Sequence, residues 1–116
     1  MTQLQSASAT WTSALAGVVL IAVSIPLILK RIPPNPVYGF RTFKTLSSPE
    51  IWYAANSVAG KDFLMAGMVI IVYNLALALM PGAFPVWLET PLANTGVLVL
   101  AATVALIHSF WMLGKM

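Results

Sequence analysis

The sequence predicts an all-α integral membrane protein: three transmembrane helices with a short amphipathic interfacial helix in the first loop. Three observations carry this expectation. Hydrophobic residues make up 59% of the 116-residue chain and charged residues only 8%, whereas a soluble domain carries about 25% charged residues. Charge is absent from Met1–Leu29, Phe63–Leu88 and Thr90–Gly114, and each run holds the roughly 20 apolar residues that a helix needs to cross a bilayer. The runs do not alternate polar and apolar positions, so they read as helices that satisfy their own backbone rather than as barrel strands. A chain of this length forms one membrane domain, residues 1–116.

The first span is expected over about 11–29, with Trp11 as its interfacial anchor. No charged side chain precedes it, and Lys30 and Arg31 follow it. That order suits a retained anchor rather than a signal peptide, whose basic residues come first. The loop over residues 30–61 opens with Arg31-Ile32-Pro33-Pro34-Asn35-Pro36, which leaves the span extended because three prolines in four positions exclude a helix. Gly39 is a turn residue.

Ser47-Ser48-Pro49-Glu50 starts a helix: a serine caps, proline takes the first position, and Glu50 sits near the positive dipole end. Over Pro49–Lys61, Ile51, Trp52, Ala54, Ala55, Val58 and Ala59 share one face, and Glu50, Tyr53, Asn56, Ser57, Gly60 and Lys61 the other. This predicts a helix at the membrane surface with Trp52 dipping toward lipid or protein. The second span is expected over about 62–80, ended by Pro81-Gly82, and the third over about 92–113.

Every lysine and arginine lies in the first loop or at Lys115. The positive-inside rule therefore puts the loop and C-terminus in the cytoplasm and the N-terminus outside.

Cysteine is absent, which excludes disulfides, thiol catalysis and cysteine-ligated metals. No paired carboxylates, metal-ligand spacing or glycine-rich phosphate loop occurs, and no serine–histidine–acid set can be placed, because His108 stands in a span with no acid expected at its level. The chain is expected to be no enzyme. His108, the single histidine, has the residue type of a haem or chlorophyll ligand or a proton relay, but no second histidine stands at its depth; an interhelical hydrogen bond is the plainer reading, and no cofactor or metal is expected. Asn74, counted from the outer end, lies level with Thr103, so Asn74, Thr103 and His108 are the candidate intramembrane polar contacts. The expected partners are the lipid bilayer and a membrane protein, either a second copy or a larger complex, aided by Gly17, Gly67 and Gly96; no nucleic acid is implied. Within the loop, Arg41 stands in a dense run of special residue types, Asn35 through Thr42, with Glu50 as its natural partner.

That loop resembles the signature of the SdpI family of bacterial membrane proteins. In the family an asparagine leads into an aromatic-Gly-aromatic/aliphatic-Arg-Thr turn, followed by Thr-Leu, an acid, a tryptophan, an asparagine and a Gly-Lys or Gly-Arg entering the next span. Asn35, Gly39, Arg41, Thr42, Thr45, Leu46, Glu50, Trp52, Asn56, Gly60 and Lys61 match that pattern, with Tyr38 and Phe40 flanking the glycine. The namesake is an immunity protein that protects a spore-forming bacterium from its own secreted killing peptide and holds a transcriptional repressor at the membrane; it is longer and has more spans. The resemblance implies a protein of the bacterial inner membrane that protects against, or senses, a membrane-active peptide. A structural accessory subunit of a respiratory or photosynthetic complex is the alternative that the small, nearly all-membrane chain supports.

Overall fold

The computed structural model describes residues 3–116, with side chains from Trp11 onward; much of the uncharged N-terminal stretch behind the anchor reading lies outside those side chains. Three helices follow one another: α1 (Gln3–Ile28), α2 (Pro49–Leu79) and α3 (Pro91–Leu113). Short 3-10 turns at Thr45–Ser47 and Val86–Glu89 lead into α2 and α3. No strand occurs among the described residues, and all three helices are long and apolar enough to span a membrane.

One sequence expectation needs correction. The surface helix over Pro49–Lys61 and the second span are a single helix of 31 residues. Ser48 caps it, accepting a hydrogen bond from the Ile51 N–H at 3.2 Å, and Pro49 fills the first turn. No proline interrupts it before Pro81, so nothing breaks the ladder where the amphipathic segment meets the apolar one. At 1.5 Å per residue it is roughly 46 Å long, against a bilayer core of about 30 Å. Its first turns form a post on which the loop rests.

The packed face of that post also differs from the helical-wheel reading. Trp52, Ala55, Asn56, Ser57, Ala59 and Gly60 are buried. Asn56, Ser57 and Gly60, read as outward-facing, point inward because the loop and the end of α1 supply their backbone partners.

α1 lies closely against α2, and α3 lies more loosely. Glycine explains the difference. A Cβ on Gly67 would stand 2.7 Å from the Gly17 carbonyl oxygen, and one on Gly17 would stand 2.9 Å from that of Gly67. A Cβ on Gly60 would meet Ile28 Cγ1 at 2.8 Å. Gly17 and Gly67, expected to serve self-association, thus join α1 to α2 within the chain, whereas Gly96 has open space around it. Small residues face inward while Leu15, Val18, Met65, Met68, Val72, Leu100 and Ile107 face outward. This is the arrangement of helices that meet the lipid bilayer.

α1 ends in a Schellman motif. Arg31 N–H donates to the Pro26 carbonyl (3.0 Å) and Lys30 N–H to that of Leu27 (3.2 Å). Lys30 takes the left-handed position, at φ 58°, that glycine usually fills.

Candidate functional site

The candidate site is the loop between α1 and α2 together with the post beneath it. Asn35 begins it. Its Oδ1 accepts from the N–H groups of Val37 (2.9 Å) and Tyr38 (2.6 Å), and its Nδ2 donates to the carbonyls of Pro33 and Tyr38, both at 2.9 Å. One side chain therefore folds the chain back after the prolines, as asparagine does in tight turns. The Tyr38 hydroxyl donates to the Val23 carbonyl, one turn from the end of α1. Burial raises its pKa above the ordinary phenol value.

Gly39 follows at φ 116°, where only glycine sits without strain. The turn delivers Phe40 to Asn56. Asn56 Oδ1 accepts from the Phe40 N–H (2.6 Å), and its Nδ2 donates to the carbonyls of Phe40 (3.3 Å) and Trp52 (3.0 Å). The amide thus completes both backbone hydrogen bonds of a loop residue. Trp52, fully buried, donates from Nε1 to the Ile32 carbonyl at 2.8 Å. It holds the start of the loop rather than reaching toward lipid. Thr42 and Thr45 close the far side reciprocally: Thr42 N–H donates to Thr45 Oγ1 (2.7 Å), and Thr45 N–H donates to Thr42 Oγ1 (3.1 Å). The Phe40 ring meets Phe110 of α3 edge-on, with centroids 4.9 Å apart, so the loop over residues 32–45 is a strap that touches all three helices.

The structure brings together Asn35, Tyr38, Gly39, Phe40, Thr42, Thr45, Trp52 and Asn56. Gly60 lies one turn below, against Ser24 and Ile28. Glu50 and Lys61 are exposed. Arg41 and Glu50 form no ion pair; the one salt bridge among the described residues is elsewhere. Arg41 instead lines a cavity beside Phe63 and Leu106, toward α3, while Glu50 stays in the first turn of α2.

The intramembrane polar contacts also differ from expectation. Asn74 pairs with Asn94, not Thr103: Asn94 Nδ2 donates to Asn74 Oδ1 at 2.6 Å, and Asn74 Nδ2 donates to Asn94 Oδ1 at 3.2 Å. Thr103 Oγ1 bonds its own helix, at the Val99 carbonyl. His108 does have an acid at its level. Its Nδ1 stands 2.8 Å from both carboxylate oxygens of Asp62, and the Ser109 hydroxyl donates to the same carboxylate at 2.8 Å. With its Nδ1 proton in place, the imidazole donates to Asp62.

Asp62, Ser109 and Asn94 were the residues that sequence reading missed. A signal existed for Asn94 and Asp62. Asn94 lies three residues inside the Thr90-Pro91 helix start, which repeats the Ser48-Pro49 pattern, and Asn74 lies five residues before the end of α2. Their depths agree to about 3 Å at 1.5 Å per residue. From that pair, twelve residues along α2 reach Asp62 and fourteen along α3 reach His108. The two polar clasps therefore sit at opposite ends of the α2–α3 seam. Between them runs an apolar groove of about 470 Å³ lined by Met65, Ala66, Val69, Leu100 and Val104.

A model of the SdpI/YfhL protein family matches residues 31–114. The chain is also similar to the "Uncharacterized protein YfhL" of Bacillus subtilis (strain 168), with 33% identity over 64 residues that cover 53% of this chain and 56% of that protein. It therefore aligns with a little over half the length of that relative. No solved structure matches it. The family match begins at the capped end of α1 and runs through the strapped loop, α2 and α3, and on that ground this chain belongs to the SdpI/YfhL protein family.

Proposed function

We propose that this protein serves, without catalysis, in protection against or sensing of a membrane-active peptide in a bacterial inner membrane, with the strapped loop facing the cytoplasm. The observation that carries the reading is the clamp of Asn56 and Trp52 on the loop. Residues that the family resemblance singles out meet in one ordered surface, held by side-chain hydrogen bonds to backbone rather than by a covalent or metal staple. Such a surface suits recognition, because its shape is set before any partner arrives. The cytoplasmic placement rests on four basic residues of that loop, Lys30, Arg31, Arg41 and Lys44, together with Lys61 of α2. The non-catalytic reading is supported by the order of the polar cluster: Ser109 donates to Asp62 rather than to His108, whereas nucleophile activation needs the imidazole next to the hydroxyl.

Deletion of the gene, followed by challenge with a panel of membrane-active peptides, tests the reading. Sensitisation that the wild-type gene rescues, and the Asn56→Ala gene does not, is the expected result. Unchanged sensitivity across the panel removes it.

A second reading, an accessory subunit of a larger membrane complex, is favoured by the apolar groove between α2 and α3, which a partner's span would fill. Purification in mild detergent separates the two: co-migration with a large assembly supports the subunit, and a lone small species supports the first reading.

A further inference from the structure

We propose that the cavity under the strap is a lipid site, which takes a stretch of acyl chain from an anionic phospholipid and holds its phosphate on Arg41. The cavity, about 260 Å³, is walled by Leu27, Phe40, Phe63 and Leu106, with Arg41 and Ser109 at its polar edges. Its surface is overwhelmingly apolar, so it suits hydrocarbon. Its volume falls below the roughly 300 Å³ at which pockets for whole small ligands begin, so it holds part of a chain and the remainder lies outside.

Charge places the head group. Arg41 is the one charged residue in the lining and pairs with no carboxylate. A guanidinium forks onto phosphate oxygens in a way an ammonium does not. Ser109 does not compete for the anion, because its proton is committed to Asp62. The loop itself supplies an independent argument. Phe43 is 100% exposed and Val37 87% exposed on a loop whose other side is tightly strapped. Phe43 stands between Arg41 and Lys44. A large apolar side chain held outward between two cations fits an anionic bilayer surface, where the ring enters the head-group layer and the cations meet phosphates. A free phosphate would leave the apolar walls and Phe43 without a role.

The full chain, purified in mild detergent, is titrated with phosphatidylglycerol and with phosphatidylcholine of the same acyl chains, and retained lipid is counted by native mass spectrometry. Wild type is expected to prefer phosphatidylglycerol by about fivefold, the effect of one basic side chain near an anionic surface. Arg41→Ala and Arg41→Gln are expected to erase that preference. Leu106→Trp, at a half-exposed position whose larger ring enters the cavity, is expected to weaken both lipids alike. Preference that survives both Arg41 variants, unchanged binding by Leu106→Trp, or displacement of phosphatidylglycerol by an equal concentration of inorganic phosphate each overturns the proposal.

Discussion

Gly39 and Asn56 are in contact so close that a Cβ on the glycine would stand 2.7 Å from the asparagine Oδ1. The same oxygen accepts the Phe40 N–H at 2.6 Å. Turn and clamp therefore depend on each other: the left-handed backbone at Gly39 aims Phe40 at Asn56, and the absent side chain leaves room for the amide. Gly39→Ala meets both the backbone penalty and the collision. A loss of about 1–3 kcal/mol is expected, read as a lower melting temperature in detergent together with faster hydrogen exchange at the Phe40 amide. A change in melting temperature without faster exchange at Phe40 would argue against the coupling.

Trp52 separates ring packing from hydrogen bonding. Trp52→Phe keeps an aromatic ring but drops the bond to the Ile32 carbonyl, for an expected loss of about 1 kcal/mol. Trp52→Ala empties a fully buried site and should cost about 3–5 kcal/mol. Equal losses in the two variants would mean that the bond to Ile32 outweighs the packing.

The Asn74–Asn94 pair should show strong non-additivity. Asn74→Leu strands a buried amide of Asn94 and is expected to cost about 1–3 kcal/mol. The double variant Asn74→Leu/Asn94→Leu removes both polar groups and should recover much of that loss. A double-mutant cycle by thermal unfolding measures the coupling; strictly additive losses would show that the two amides do not depend on one another.

Glycines in different helices should respond in opposite ways. Gly67→Leu collides with the α1 backbone at Gly17 and should separate α1 from α2, which an engineered cysteine pair across that seam would report as lost crosslinking. A Cβ on Gly96 meets nothing within 4 Å, so Gly96→Ala should leave both crosslinking and melting temperature near wild type.

Tyr38 confers a pH dependence on the strap. A phenol titrates near about 10 in an unfolded chain, and burial raises the value in the folded protein. The folded state therefore favours the neutral phenol. Its contribution is constant below pH 10 and falls as pH rises through the higher folded value. Tyr38→Phe should lose the bond to the Val23 carbonyl at every pH and flatten the alkaline fall in melting temperature. An unchanged alkaline fall in that variant would assign the effect to other groups.

The number of spans was legible because it rests on a term that sums over twenty residues: hydrocarbon excludes charge wherever the chain crosses it. The start of α2 was legible for a local reason, since Ser48 and Pro49 act within one turn. So was the membership of the strap, as Asn35, Gly39, Trp52 and Asn56 are residue types that turns and buried caps demand. Pairing across helices was a different matter. Asn74 with Asn94, and Asp62 with His108 and Ser109, depend on the relative depth and rotation of two helices, and an error of two or three residues in a helix start changes the partner. The separate surface helix dissolved into α2 because helix continuity depends on the unbroken backbone ladder, not on where hydrophobicity rises. The count of spans, the capped starts at Pro49 and Pro91 and the turn residues of the loop are therefore readable from the chain alone, since each rests on local terms. Which face of the post is buried, that Arg41 lines the cavity under the loop instead of pairing with Glu50, and that two polar clasps close the seam are set by the packing of the helices, because these follow from distances that no single segment contains.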